Sequence, residues 1–408
     1  RLRSFDVVFA DQKIAACGSS YRDRDICNIF MERQKSMKPR ARDLNIRIGQ
    51  MQPGPLNAIT DVPGVRVGHS NVRGKSTAGR DICTGVTLIE PRQGSTNQQP
   101  CFAGVHVLNG NGDASGLEWI REAGLLTSPI AFTNTHSLGV VRDALIVLDR
   151  QQQPDDGRLY WNMPVVLETY DGLLNDINGF HVKPEHVAEA LHNAVDGPVV
   201  EGAVGGGSGM ICHEFKGGIG TSSRRLSAAQ GGWTVGAIVQ ANHGIRNELR
   251  VDGYPVGRFM EQKDSPFLRA ALPHPGMGSI VVCLATDAPL LPHQCTRLAQ
   301  RASLGLARTG GGNEDHSGDI FIAFATGNDH VPPAAYEGKG AATCDGLRMV
   351  NNDHISELFL AATEAVEEAI INALLASEST EGNGHSVQGL DAQTLLAALE
   401  KAGWPGSR

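Results

Sequence analysis

HPGMGSIVVCLATDAP, residues 274–289, decides how this chain is read. Ile280 to Ala285 is an unbroken apolar run with the β-branched density of a strand buried on both faces. Gly278 and Ser279 stand directly in front of it. Gly-Ser is ordinary turn chemistry, and turns precede strands. The sharper reading is that the bond between Gly278 and Ser279 is a cleavage site and that Ser279 becomes a chain-terminal nucleophile. Glycine has no Cβ to obstruct attack on its own carbonyl, and a terminal amine beside a hydroxyl is one way to activate that hydroxyl.

The segments around this run share its character. AGVHVL (103–108), PIAFTNT (129–135), PVVLETY (164–170), WTVGAIVQAN (233–242) and DIFIAFAT (319–326) also read as buried strands. SGLEWIREAG (115–124) reads as a helix capped by Ser115, and PEHVAEALHNA (184–194) as one with Pro184 in its first turn. The longest helix runs from about His354 to Ser377, with one apolar stripe from Ile355 to Leu374. Alternating elements of this kind predict a layered α/β sandwich, two sheets between helices, in a single large domain. Residues 1–36 look unlike the rest of the chain and are expected to be a poorly ordered extension or a mis-assigned start, with the catalytic domain spanning 37–408. EQKDSPFLRAALPHPGMG (261–278) reads as an exposed loop where cleavage has room to occur. SESTEGNGHSVQG (377–389) reads as a flexible connection to a last helix capped by Asp391.

Composition narrows the class. Hydrophobic content of 41% with 20% charged residues is that of an ordinary globular protein. A net charge of −8 with no Lys/Arg stripe argues against a nucleic-acid surface. No apolar run approaches the ~18 residues of a membrane span. Eight cysteines without a CxxC pair favour free thiols in a reducing compartment, hence the cytoplasm. The 49 glycines, about 12% of the chain against a usual ~7%, cluster in apolar segments, which points to close backbone approach beside a site.

Four clusters carry chemistry. EGAVGGGSGMICHEFKGGIGTSSRR (201–225) lacks both the GxxxxGK[ST] and dinucleotide spacings, so it reads as a tight backbone crossing rather than a phosphate cradle. In WNMPVVLETYDGLLND (161–176), Glu168 and Tyr170 alternate along a strand and are expected on one face. There, Glu168 would receive an ammonium group and Tyr170 would donate to an oxyanion. Asn242 ends the apolar strand of IVQANHGIRNE (238–248), where its amide could serve as a second oxyanion donor. Ser317 and Asp319, at i and i+2 before DIFIAFAT, are expected to point the same way, a hydroxyl relayed to a carboxylate. His316 beside Ser317 is no triad histidine, because adjacent strand residues face opposite sides. GxSxG is not completed around Ser208, and HExxH is absent. His106, His136, His213 and His243 are scattered and read as polar loop residues, so no metal and no cofactor is expected.

With these clusters in place, the chain resembles the L-aminopeptidase D-amidase/esterase family, which includes the β-peptidyl aminopeptidases. The resemblance runs from about Arg40 to Leu375. It rests on ITDVPGVRVGH (59–69), FAGVHVLNGNG (102–112), TNTHSLGVVRDA (133–144), PVVLETYDG, GGGSGMICHEFKGGIGTSSR, VQANHG, GSIVVCLATDAPL and SGDIFIAFATGN, in that order. It departs from the family pattern at Ala203 and Ser208, where relatives often carry Asn and Thr. The resemblance implies a four-layer αββα sandwich like that of N-terminal-nucleophile hydrolases. It also implies self-cleavage into 1–278 and 279–408, and a tetramer of the cleaved pairs. It gives Ser279 as nucleophile, Ser317 and Asp319 as its polar support, Tyr170 and Asn242 near the oxyanion, Glu168 on the substrate amine and Trp161 lining the pocket. The function implied is an aminopeptidase acting on short peptides, amides or esters through an acyl-enzyme. Whether the Ser279 amine or the Ser317–Asp319 pair takes the proton stays open. The competing classes are an acyltransferase of the ornithine acetyltransferase type using the same nucleophile, and a binding role resting on the glycine clusters.

Overall fold

The computed structural model describes residues 38–153, 159–266, 278–333 and 346–406. The chain divides into two units, Arg1–Pro39 and Arg40–Arg408. What is expected of residues 1–36 lies outside the described residues, as does the expectation for residues 267–277.

In chain order the strands are β1 (Arg66–Lys75), β2 (Asp81–Glu90), β3 (Cys101–Gly110), β4 (Leu125–Leu126), β5 (Ile130–Asn134), β6 (Val165–Thr169), β7 (Ile211–Cys212) and β8 (Phe215–Lys216). They continue with β9 (Gly218–Arg225), β10 (Thr234–Asn242), β11 (Ser279–Thr286), β12 (Gly318–Ala325), β13 (Thr380–Gly382) and β14 (His385–Val387). The α-helices are α1 (Leu117–Ala123), α2 (Leu138–Gln152), α3 (Pro184–His192), α4 (Pro292–Ala299), α5 (Ala302–Thr309), α6 (Ser356–Ala376) and α7 (Ala392–Lys401).

One sheet has the order β1-β2-β5-β6, the other β4-β3-β12-β11-β10-β9. The alternation of side chains along β11 shows how they stack. Val281, Cys283 and Ala285 join Ile89, Phe132 and Leu167 of the smaller sheet in a core between the sheets. Ile280, Val282 and Leu284 face the other way, onto Leu298, Leu306 and Leu374 of α4, α5 and α6. The outer face of the smaller sheet, Val86, Leu88 and Val166, packs against α2 and α3 through Val141, Leu145 and Val187. The layers are therefore helix, sheet, sheet, helix, and β11 runs through the middle with both faces covered. That burial is why its sequence is continuously apolar.

Three local expectations are corrected. Helix α1 is preceded by Gly116 in a left-handed conformation (φ 76°) rather than capped by Ser115. The Ser115 hydroxyl instead donates to Pro164 O (2.8 Å) and accepts from Val166 N (3.1 Å), tying this loop to β6. Helix α6 carries no single apolar stripe but is buried nearly all round, including Glu364 and Glu368. Those carboxylates are compensated by the buried Arg224 at 3.1 and 2.7 Å. Segment 377–389 is no flexible connection: β13 and β14 pair in a hairpin whose turn, Asn383-Gly384, has φ of 49° and 78°. Asn-Gly is the pair that a turn with two left-handed residues demands. Pro184 does start α3, and Asp391 does cap α7, accepting from Thr394 N.

Candidate active site

The site forms where β10, β11 and β12 meet at one end of the larger sheet. Ser279, the first residue of β11, lies opposite Asn242, the last of β10, in the antiparallel register. On its other side β12 runs parallel and brings Asp319 level with Ile280. The Gly318 N–H donates to Ser279 Oγ at 3.0 Å, which aims the hydroxyl at the junction of the three strands. The Ser317 hydroxyl donates to Asp319 Oδ1 at 2.5 Å, so these two side chains do point the same way. Asp319 Oδ2 is buried with no partner. Burial, helped by the charge of Glu314 and opposed by the Ser317 hydroxyl, raises the Asp319 carboxyl to about 6.

Asn109 completes this corner, and sequence reasoning does not single it out. It pairs with Asp319 across a register shift in β3, and its amide donates to Ser317 O at 2.5 Å and to Asp315 O at 2.8 Å. An Asn in a glycine-rich turn, as in LNGNG, is the only signal it gives.

Glu168 ends up close to this corner by a different route. Its Oε1 accepts from Asp113 N at 2.7 Å and its Oε2 from the Thr135 hydroxyl. A Cβ on Gly112 would stand 3.1 Å from Glu168 Oε1 and 3.2 Å from Gly318 Cα, so Gly112 is the spacer between the carboxylate and the backbone that holds Ser279 Oγ. Burial pushes the Glu168 carboxyl above the usual carboxylate range, against the two hydrogen bonds it accepts.

Tyr170 does not share Glu168's position. It lies one residue past the end of β6 and is 50% exposed, where Glu168 is 3% exposed. Its phenol folds over Gly172, whose added Cβ would meet the hydroxyl at 2.3 Å. The strand alternation argument fails because the strand stops at Thr169. Asn242 instead holds the Tyr170 main chain, donating from Nδ2 to its carbonyl at 2.9 Å while Oδ1 accepts from Ile211 N at 2.7 Å. One Nδ2 proton remains for another acceptor.

A groove of about 580 Å³ opens beside Gly112 and Asp113, walled by Trp119, Met163 and Ile320. Trp119 lines it, and Trp161 packs edge-on against Trp119 with centroids 4.8 Å apart. Sequence reasoning misses Trp119, although a Trp on a seven-residue helix is visible in SGLEWIREAG. The glycine cluster is a tight backbone crossing, as its spacing implies. A Cβ on Gly206 would meet Phe132 O at 2.6 Å and one on Gly207 would meet Ile219 N at 2.6 Å. The Gly205 and Gly206 amides are spent on Asn71 and Thr87.

The family model described as Peptidase family S58 matches residues 57–387. This chain belongs to peptidase family S58. It is 45% identical over 377 residues to the β-peptidyl aminopeptidase BapA of Sphingosinicella microcystinivorans, covering 89% of this chain and 92% of the relative. Its structure is similar to that of a Burkholderia sp. β-aminopeptidase, with TM-score 0.84 at 65% identity, covering 90% of this chain and 99% of the other. The L-aminopeptidase D-Ala-esterase/amidase of Ochrobactrum anthropi, whose structure is described as a new variant among the Ntn hydrolase fold, gives 0.81 at 44% identity, with the same coverages. The expected αββα fold of N-terminal-nucleophile type is borne out, and so is the serine aminopeptidase class. The acyltransferase alternative finds no support among these relatives.

Within this S58 fold the histidines sort unequally. His316 is exposed in the turn before β12, and Ser317 beside it is buried, although the strand itself begins only at Gly318. His106 packs on Phe321, and His136 stacks on Phe180. His213 and His243, expected as separate loop residues, instead meet inside the protein with Cys212. The described cysteines, Cys83, Cys101, Cys212, Cys283 and Cys295, are all free and buried. Among the described residues no helix is long and apolar enough to cross a membrane.

Gly278 gives the first expected outcome. A Cβ there would lie 1.8 Å from Asn242 O and 2.8 Å from Asn242 C, both backbone atoms of the neighbouring strand. Overpacking of this kind costs about 1–3 kcal/mol. Should the bond before Ser279 be cut, as the sequence leads us to expect, Gly278→Ala slows that cut about 10- to 100-fold. A gel time course after translation measures it, and processing at the wild-type rate would show that the close approach is irrelevant to cleavage.

Proposed function

We propose that this S58 peptidase is made as a precursor that cuts itself between Gly278 and Ser279, and that the matured enzyme removes N-terminal residues from short peptides, amides and esters. The observation that carries this is the placement of Ser279 Oγ on the Gly318 amide, between Asn242 and the Ser317–Asp319 pair. In the precursor, the Ser279 hydroxyl attacks the Gly278 carbonyl. The acyl group moves from nitrogen to oxygen, and water hydrolyses the ester. The freed α-amine, with a reference pKa of roughly 7.7–8.0, then stands beside its own hydroxyl.

In the matured enzyme, Ser279 Oγ attacks the substrate carbonyl and forms an acyl-enzyme that water resolves. Glu168 takes the substrate's ammonium group, which selects chains with a free amino end. The spare Nδ2 proton of Asn242 stabilises the tetrahedral oxyanion, roughly 3–4 kcal/mol for one good donor, and the Tyr170 hydroxyl, which lies over Gly172, adds a second donor when its ring turns inward. Trp119 walls the side-chain groove, and Trp161, expected to line it, instead supports Trp119 edge-on.

Relatives named β-peptidyl aminopeptidase or β-aminopeptidase support β-aminoacyl substrates as the preferred class. Matched anilides bearing β-, L-α- and D-α-residues test this. The β-substrate should show the highest kcat/KM, and its N-acetylated form should resist. Equal cleavage of the acetylated form would contradict a site built on Glu168.

The acid limb of the rate profile comes from Asp319. Its raised pKa, about 6, means that the carboxylate is present above that value and is lost as the pH falls through it. The Ser317 hydroxyl then loses its charged acceptor. kcat/KM should fall about tenfold per pH unit below 6, the slope of one required deprotonation. Asp319→Asn should abolish this limb on a des-amino ester, whose binding does not draw on Glu168. A limb near 8 that persists in Asp319→Asn would assign the proton to the Ser279 amine instead.

The cleaved pairs associate as a homotetramer that works in the cytoplasm. Exposed Leu304 and Leu360 beside Arg301 and Arg308 support an association surface, and the buried free thiols support a reducing compartment.

A further inference from the structure

The buried cluster of Cys212, His213 and His243 has no part in the mechanism above. His213 and His243 lie 30 residues apart in sequence, yet their rings stand edge to face with centroids 5.2 Å apart. Cys212 Sγ lies 3.9 Å from His243 Nδ1. One ligand-capable atom from each of the three falls within 4.8 Å of the others. All three residues are buried, and Nε2 of both histidines has no hydrogen-bond partner. Two such nitrogens side by side in the interior are unusual, because buried polar groups are almost always paired.

The backbone is bent to bring these groups together. His213 and Glu214, the two-residue turn between β7 and β8, have φ of 47° and 62°, a conformation that residues with a Cβ adopt at a cost. The His213 N–H donates to His243 O at 2.6 Å, clamping the two segments. Glycines leave the rings their space. A Cβ on Gly244 would come within 2.5 Å of His213 Cε1, and one on Gly311 within 2.6 Å of His243 Cδ2. His213 Nδ1 is 3.1 Å from Ile245 O, a contact that places the ring proton on Nδ1 and leaves the Nε2 lone pair free. A metal-binding histidine is held by its second nitrogen in this same way.

We propose that Cys212, His213 and His243 bind a borderline-soft divalent cation of the zinc class through one thiolate and two imidazoles. Thiolate with imidazole is the donor set that such ions prefer over hard oxygen-seeking cations. As the metal–sulfur bond forms, the thiol proton passes to solvent, and the charge left on sulfur is carried by the ion. The ion joins two segments that already hold the site. Cys212 follows Ile211, whose N–H fixes Asn242 Oδ1, and His243 follows Asn242 itself. Its role is to position that amide, and the proposal stands whether or not Ser279 is the nucleophile.

Cobalt(II) added to the full chain produced in metal-depleted medium tests this. One equivalent should bind and give the visible bands of a tetrahedral ion with a sulfur-to-cobalt charge-transfer band in the near ultraviolet, and zinc should displace it. Cys212→Ser should lose the charge-transfer band, and His243→Gln should weaken binding at least tenfold. Zinc should raise the Tm of the unaltered chain but not of Cys212→Ser. If Cys212→Ser does not fold, His213→Asn, which suits the left-handed turn, replaces it in the same titration. No stoichiometric cobalt binding by the unaltered chain, or a charge-transfer band unchanged in the folded Cys variant, would overturn the site.

Discussion

Ser279→Ala should leave the protein as one uncut chain and lower kcat/KM on an aminoacyl anilide by about 10⁴- to 10⁶-fold, the loss expected when a nucleophile is deleted from a cooperating set. The size reflects what the substitution removes. On the proposed mechanism, the hydroxyl held by Gly318 N–H both attacks Gly278 and attacks substrate. Without cleavage no α-amine appears at residue 279 to assist. The fold should survive, because Ser279 sits at the first position of a strand whose core contacts begin at Ile280. A cooperative thermal transition close to that of the unaltered chain would confirm that chemistry alone is lost. A variant that stays intact yet keeps full activity would remove Ser279 from the mechanism.

Glu168→Gln should have the second largest effect, and a selective one. Losing one member of a desolvated charge pair costs about 2–5 kcal/mol, or about 30- to 5,000-fold in kcat/KM for a substrate with a free amine. Gln is nearly isosteric and retains a carbonyl oxygen for the Asp113 amide or the Thr135 hydroxyl, so the local structure should hold. The comparison that isolates the charge uses an aminoacyl ester and its des-amino analogue. The unaltered enzyme should prefer the amine strongly, and in Glu168→Gln that preference should collapse while the analogue is little affected. Equal losses on both esters would show that Glu168 shapes the site without reading the amine. Because burial raises the Glu168 carboxyl, its charge disappears at a higher pH than that of an exposed glutamate. Binding of amine substrates should therefore weaken on the acid side in the unaltered enzyme and not in the variant.

Legibility in the sequence depends on which physical signals are local. Strands such as β11, β10 and β12 announce themselves because both faces are buried and the whole run is apolar. Strand β9 gives no such signal. GIGTSSRR is polar, yet seven of its eight residues are buried. Its burial is tolerated because each polar group has a distant partner: Thr221 on Ala237 O, Ser222 on Ala365 O, Ser223 on Asp61 and Arg224 on Glu364 and Glu368. Strands β1 and β2 escape notice because their polar and glycine content masks alternation. The hairpin of residues 380–387 is hidden by composition although Asn383-Gly384 is a strong turn signal.

The site divides in the same way. Ser317 and Asp319 can be paired from spacing alone, since i and i+2 at a strand entrance share a face. Tyr170 is misplaced when the rule is carried one residue beyond the strand. Asn109, Trp119 and the meeting of His213 with His243 depend on which strands and loops become neighbours, and no short-range pattern encodes that. Ser279 is legible because its glycine neighbour and the strand behind it are contiguous with it.

The intact mass of the purified protein tests the central claim most directly. Scaling 43.4 kDa over 278 and 130 of 408 residues gives fragments of roughly 30 and roughly 14 kDa for an average chain. Both species are expected, with Ser279 heading the smaller and its α-amine free. A single uncut chain that hydrolyses aminoacyl amides would contradict the chain-terminal nucleophile and leave an internal hydroxyl, Ser317 first, to carry the reaction.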